Sequence, residues 1–360
     1  MNILALNSGS SSFKFGLYRV DAAGVKTLPT KSVTSAGQAD AKAYLALALA
    51  GPDMPAPDAI GHRIVHGGPK LRQHGVIDGA VLRELEAAAA FAPLHMPAAL
   101  ALIRFAQQRF PGLPQVACFD TCFHAGLPDV ARVLPIAKEL QAQGIQRYGF
   151  HGLSLESIVR QLGHDLPQRL VIAHLGNGAS VTAVKAGQSI DTSMGLTPTG
   201  GLILGARSGD LDPGVLVYLL REKKFDAARL EALVDQRSGL LGISGLSGDM
   251  RRLHEAAASN RDARLAIEMF CYSVRKQVAA MSAVLGGLDM LVFTGGIGEN
   301  DAQVRTEICN GLSWIGVSLD DARNRTVSNP VSDGVSRCSV RVLAAQEDEQ
   351  IARHAWALLA

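Results

Sequence analysis

Three short apolar runs each end in a turn of small residues, and this limits the possible folds more than any other feature. Ile3–Leu6 runs into Asn7-Ser-Gly-Ser-Ser-Ser12, after which Phe13, Phe15 and Leu17 alternate with Lys14, Gly16 and Tyr18. Period two is strand geometry, so the chain opens with a β-hairpin. The figure returns mid-chain: Leu170–His174 is apolar, Gly176-Asn-Gly178 turns, and Val181–Lys185 runs extended. This weak internal echo points to two related halves. The third case differs. Asp289–Phe293 reads as a strand, Thr294-Gly-Gly-Ile-Gly298 as a turn, and Gln303–Cys309 as a helix. Strand, glycine-rich turn and helix is the format of a phosphate-binding corner.

Helical patterns fill the gaps. Val81–Phe91 is amphipathic, Pro97–Gln108 starts on proline, and Asp212-Pro213 reads as an N-cap opening a helix to Arg221. Arg264–Leu285 is long and periodic, and Glu347–Leu359 closes the chain. Strands and helices alternate in both halves, which predicts an α/β protein. The 360 residues suggest two domains. The hairpin echo puts a boundary near Tyr148.

Lysine and arginine number 35 against 33 acids, a net charge of +2, so no strong field draws the chain to nucleic acid or an anionic membrane. No run approaches the ~20 apolar residues of a membrane span, and the N-terminus has no signal-peptide pattern. The five cysteines (Cys118, Cys122, Cys271, Cys309 and Cys338) are odd in number and scattered. Reduced thiols in a cytoplasmic protein are the expectation.

A phosphate needs several donors converging without steric bulk. Asn7–Lys14 and His174–Gly178 supply glycine, serine, asparagine and lysine, and Gly295–Asn300 adds a helix N-terminus. One such turn is usually only a hairpin turn; three directly after apolar strands favour phosphate binding. No GxxxxGK[ST] and no strand-linked GxGxxG occurs.

Other motifs carry charge. Arg63, in Gly61-His-Arg-Ile-Val-His-Gly-Gly68, either forks a ligand carboxylate or phosphate or pairs a core acid. His62 and His66 read as structural. Asp120 follows the apolar strand Gln115–Phe119 and either orients a reacting group or caps a turn. His151 lies between glycines in Tyr148-Gly-Phe-His-Gly152, which predicts an exposed, functional imidazole. Arg207, in Gly205-Ala-Arg-Ser-Gly-Asp-Leu-Asp-Pro213, suits a clamp on a transferring phosphoryl group. In Gln346-Glu-Asp-Glu349 one acid could hold magnesium, the others facing a helix dipole.

Taken in order, these segments resemble the acetate and propionate kinase family, of the superfamily that contains actin, sugar kinases and heat-shock ATPases. The resemblance rests on Asn7–Lys14, Gly61–Gly68, Ala92-Pro-Leu-His95, Phe119-Asp-Thr-Cys-Phe-His124, Arg147–Gly152, His174–Gly178, Gly205–Asp212 and Phe293–Asn300. It implies two ribonuclease H-like domains with the active cleft between them, residues 1–148 with 347–360 and residues 149–346, and a homodimer. It implies ATP-dependent phosphorylation of acetate to acetyl phosphate. Asn7 and Glu347, or Asp348 in its place, would bind Mg2+ or Mn2+. Lys14 and His174, Leu175, Gly176, Asn177 and Gly178 would contact the nucleotide phosphates. Asp249, Met250, Arg251, Gly296, Ile297, Gly298, Glu299 and Asn300 would line the adenosine pocket. Arg63 would hold the substrate carboxylate, and Val65, Leu94, His95, Phe150 and Pro198 would surround the substrate. Asp120 would act as acid-base or orienting group, and His151 and Arg207 would stabilise the transferring phosphoryl.

Two alternatives are a propionate or butyrate kinase of the same mechanism, and an actin-like or chaperone-like ATPase with protein partners. The second would share the phosphate hairpins without needing Arg63 and Arg207 beside an apolar acyl pocket.

Overall fold

The computed structural model describes residues 1–8, 13–28, 55–93 and 95–360. Leu94 and the turn 9–12 therefore lie outside the described residues. Two mixed sheets form. The first contains β1 (Asn2–Ser8), β2 (Phe13–Asp21), β3 (Gly24–Thr27), β4 (Ala59–Ile64), β5 (Gly75–Val76) and β6 (Gln115–Phe119), in the order β3-β2-β1-β4-β6-β5. The second contains β7 (Arg169–Leu175), β8 (Ala179–Lys185), β9 (Gln188–Thr192), β10 (Met290–Thr294) and β11 (Ser339–Val342), in the order β11-β10-β7-β8-β9.

The two orders share one plan. In each, an antiparallel meander (β1-β2-β3, β7-β8-β9) is extended from its first strand by two parallel strands (β4 and β6, β10 and β11). The echo between the two hairpins is thus a repeated topology. The central strands are buried on both faces, which is why Ile3–Leu6 and Leu170–Ala173 read as continuous apolar runs.

The helices follow their end signals. α1 (Gly79–Ala87) is capped by Asp78, and α2 (Met96–Arg109) has proline in its first turn. α3 (Gly152–Leu162) begins at His151, and α4 (Pro213–Arg221) is capped by Asp212. α5 (Arg261–Leu285) buries Phe270, Val274, Val278 and Leu285 in the second core. α6 (Gly295–Asn300) and α7 (Ala302–Asn310) follow β10. The glycine-rich segment after β10 is therefore helical, not the turn expected. The Glu299 carboxylate accepts the Gly295 N–H at 2.9 Å and so supplies the end cap that offsets glycine's poor helix propensity. Gly295 has φ +77°, and a Cβ there would lie 2.8 Å from the Leu175 carbonyl oxygen, so no other residue fits.

α8 (Glu347–Leu359) packs on the first sheet. Ile351, Ala352 and Ala355 are fully buried against Ile3, Ala5, Ala59 and Val116. That apolar seat, about 1.5–3 kcal/mol for a residue such as Ile351, fixes where the acidic start of α8 points. No helix among the described residues is long and apolar enough to cross a membrane.

Candidate active site

A cavity of ≈690 Å³ opens between the sheets. Its wall takes Asn7, Lys14, Arg63 and Asp120 from the first sheet, and His174, Gly176, Asn177, Gly178, Gly296, Glu299 and Asn300 from the second. His95, His151, Arg207, Glu347 and Asp348 complete the polar lining, and Val65, Phe150 and Pro198 supply an apolar corner.

Each position has a local cause. Asn7 and Lys14 are cross-strand partners in the first hairpin, so one face of the sheet presents both. Arg63 on β4 and Asp120 at the end of β6 sit on adjacent parallel strands. Arg63 Nη2 donates to Asp120 Oδ2 at 2.7 Å, and its Nη1 donates to Asn7 Oδ1 at 3.0 Å. Both readings of Arg63 left open by the sequence involve a carboxylate; the one observed is the internal Asp120. Burial lifts the Asp120 carboxyl above the ordinary range, and the guanidinium limits the rise.

The Asn7 amide also faces the start of α8. Its Nδ2 donates to Glu347 Oε2 at 3.0 Å and to Asp348 Oδ1 at 2.7 Å. Burial opposes the charge on Glu347, but Arg63, with His174, the Asn7 amide and Lys14, outweighs it and holds that carboxyl below the ordinary range. Asp348 is raised, first by burial and then by Glu347. The two carboxylates are oxygen donors of the kind that suit Mg2+ or Mn2+, while the Asn7 amide turns its Nδ2 to them and its oxygen to Arg63.

His151 is buried, with 8% exposure, which corrects the expectation of an exposed imidazole. Flanking glycines open the backbone, but the ring turns inward: Nδ1 meets Ser180 Oγ at 2.9 Å, and the ring stacks on His174 at 4.2 Å. His174 Nδ1 in turn meets Ser154 Oγ at 2.8 Å. Burial, then the positive charges around it, hold His151 well below its ordinary pKa, so a neutral imidazole faces the cavity. His124 pins this turn, reaching the Phe150 carbonyl at 2.9 Å through Nε2. A Cβ on Gly178 would lie 3.0 Å from His151 Nε2, so the glycine keeps the phosphate-type turn clear of the ring.

Arg207 is also buried. Its Nη1 donates to the Pro198 carbonyl at 3.2 Å and its Nη2 to His95 Nε2 at 3.4 Å. His95 must then present a lone pair; burial first, then Arg207, lowers its pKa to about 4.

Several expected residues do not reach the cavity. Leu175 is a core residue of β7, Ile297 packs against the same core, and Gly298 lies against Phe293. Met250 is 3% exposed in that core, and its side chain is not part of the cavity wall. Its neighbours are occupied with a helix start. Asp249 caps the helix Met250–Ala256 and pairs with Arg251 at 2.8 Å, whose side chain is exposed. Leu94 lies outside the described residues. Sequence reasoning missed Ser154 and Ser180, which orient the imidazoles. The only signal for Ser180 is its place two residues after Gly178.

Known proteins fit this geometry. A sequence profile of the Acetokinase family matches residues 53–353. An acetate kinase of Rhodopseudomonas palustris is 40% identical over 391 residues, covering 99% of this chain and 98% of that protein. The crystal structure of a propionate kinase from Francisella tularensis superposes with a TM-score of 0.88 at 36% identity, covering 99% of both chains. That of Porphyromonas gingivalis acetate kinase gives 0.86 at 32% identity, covering 100% of both. The paired sheets match the two ribonuclease H-like domains expected. Fold and sequence agree along nearly the whole length, and the chain belongs to the Acetokinase family.

Proposed function

We propose that this chain transfers the γ-phosphoryl group of ATP directly to the carboxylate of acetate, reversibly, giving ADP and acetyl phosphate. The observation that carries the reading is the shared cavity. Arg63, Asp120, His151 and Arg207 meet an apolar corner of Val65, Phe150 and Pro198 beside the Gly176–Gly178 turn and the helix start Gly295–Gly296.

A carboxylate is already a competent nucleophile, so no base has to remove a proton. One carboxylate oxygen attacks the γ-phosphorus in line while the bond to ADP breaks. The barrier lies in bringing anions together and in the charge spread over the moving phosphoryl. Arg63 attracts the acid's carboxylate, and the apolar corner covers its methyl group. Asp120 acts by orienting Arg63. Arg207 and the neutral His151 donate to the transferring phosphoryl. Lys14 and the Gly176–Gly178 turn hold the nucleotide phosphates, with Gly296 and Asn300 beside them. Asn7, Glu347 and Asp348 would hold magnesium or manganese, which when bound offsets phosphate charge.

One methylene in an apolar pocket is worth only ~1–3 kcal/mol, so propionate should also react. The likeness to a propionate kinase supports including it in the test. The test is hydroxylamine trapping of acyl phosphate with ATP, magnesium and acetate, propionate or butyrate. Acid-dependent hydroxamate ranked with acetate first supports the reading; none with any acid contradicts it.

The same proposal includes a homodimer. α4 has no buried residue, and Val215, Val217, Tyr218 and Leu220 are all exposed. An uncovered apolar helix supports a second copy as its cover. A sedimentation mass of one chain would contradict that. The division into residues 1–148 with 347–360 and residues 149–346 belongs to this reading, supported by the packing of α8 on the first sheet. A cytoplasmic location does too, supported by five free thiols.

A further inference from the structure

His74, Glu156 and His354 converge away from the cavity wall. They come from the loop before β5, from α3 and from α8. His354 Nε2 lies 2.5 Å from Glu156 Oε2, His74 Nε2 lies 3.6 Å from Glu156 Oε1, and the two imidazoles are 3.9 Å apart. Two histidines and a carboxylate have the composition of a transition-metal site.

The placement of protons argues for another role. The Phe119 N–H donates to His74 Nδ1 at 3.0 Å. A neutral imidazole has one N–H, so His74 carries its own on Nε2, facing Glu156. A metal would need that nitrogen's lone pair, and the remote nitrogen of a metal-bound histidine ordinarily donates rather than accepts. Glu156 is therefore a carboxylate set between two imidazoles: His354 Nε2 bonds its Oε2 while also lying 3.0 Å from Gln350 Nε2, and the His74 N–H faces its Oε1 across 3.6 Å. Burial pushes its pKa up, but these bonds outweigh burial and hold it at about 2.

The cluster ties two helices that both begin at the active site. α3 starts at His151 and carries Glu156. α8 starts with Glu347 and Asp348 and carries His354 two turns later. Further bonds run along the same seam: Arg160 Nε donates to Gln350 Oε1 at 3.2 Å, and the Gln346 N–H donates to Ser157 Oγ at 3.1 Å. Near its start the seam also has an apolar contact, where Leu153 joins the buried cluster of Ile351 and Ala355, and the directional bonds add a fixed angle to that packing.

We propose that Glu156, with His354 and His74, is a positioning cluster that fixes α8 against α3, so that Glu347 and Asp348 take up their places beside Asn7 and Arg63. The proposal rests on the phosphotransfer reading for its effect on rate. Its effect on metal binding does not depend on turnover.

The test is manganese(II) binding by electron paramagnetic resonance on the full chain, with hydroxamate turnover and thermal melts alongside. His354→Ala and Glu156→Ala are expected to weaken manganese binding and lower kcat, each by about tenfold or more, leaving KM for acetate within about twofold. His354→Gln keeps an N–H for Glu156 and should recover to within about threefold of wild type. If the alanine variants fail to fold, Glu156→Gln, which keeps shape but loses charge, should weaken manganese in the same direction. A merely stabilising cluster would lower the melting temperature and leave manganese affinity and kcat unchanged, which overturns the proposal. A second cobalt(II) per chain, beyond the one held at Asn7, Glu347 and Asp348 and lost in His354→Ala, overturns it in favour of a metal site. A wild type that binds manganese but forms no hydroxamate overturns the phosphotransfer reading alone, and the manganese shifts still decide the role of the cluster.

Discussion

Arg63 forks the carboxylate of Asp120, with Nη2 and Nε donating to Oδ2 at 2.7 and 3.0 Å and Nε also reaching Oδ1 at 3.2 Å. The same guanidinium holds Asn7 Oδ1, so one side chain joins the substrate end of the cavity to its metal end. Removing it strands a buried carboxylate. Arg63→Ala should cost about 3–5 kcal/mol of stability and abolish saturation by acetate. Arg63→Lys should not rescue acetate binding, because a point charge cannot reproduce the fork. Denaturant midpoints and KM for acetate check both; an alanine variant with wild-type stability and KM would contradict the assignment.

Arg207 is buried, and among the described residues its side-chain hydrogen bonds go to a carbonyl and a neutral imidazole, with no carboxylate bonded to it. Its charge is left for the phosphoryl group. Arg207→Ala should lower kcat by roughly 10³–10⁵ while the circular dichroism spectrum stays that of wild type. Near-wild-type turnover would remove Arg207 from the mechanism.

Gly178 has room for no side chain on the face that meets His151, since a Cβ would stand 3.0 Å from Nε2. Gly178→Ala should displace the imidazole and cost about 10²-fold in kcat, with the fold kept. Unchanged kcat would mean that the exact place of His151 does not matter.

Burial lowers His62, His66, His95, His124 and His174 to about 4 each. Above the unfolded value of about 6.5 these rings are neutral in both states and pH has no effect through them. Below it, the unfolded chain takes up protons that the folded chain refuses. Stability is therefore lost as pH falls from about 6.5 towards 4, at up to about 1.4 kcal/mol per pH unit for each ring. Urea midpoints should be flat from pH 7 to 8.5 and fall from pH 6.5 to 5. A midpoint that holds at pH 5 would show that these rings accept protons in place.

What the sequence made legible follows from local chemistry. The hairpins were readable because period-two alternation and small turn residues lie within a few positions of each other, and Asp212-Pro213 because a cap is a local signal. The acidic start of α8 was readable as a possible metal site for the same reason. The inward turn of His151 was not, because Ser180 and His174, which hold it, lie on another sheet. Met250 was expected in the pocket only through the family resemblance; its burial comes from the packing of its helix on α5. The His74–Glu156–His354 cluster had no sequence signature, since His354 and Glu156 are 198 positions apart.

The central claim is that nucleotide turnover here requires a carboxylate acceptor. The most direct measurement is ADP release from ATP and magnesium, with and without acetate, by the purified full-length chain. The account predicts release that is negligible without acid and saturates as acetate is added. Release at the same rate with or without acetate would contradict it and favour an ATPase whose acceptor is water.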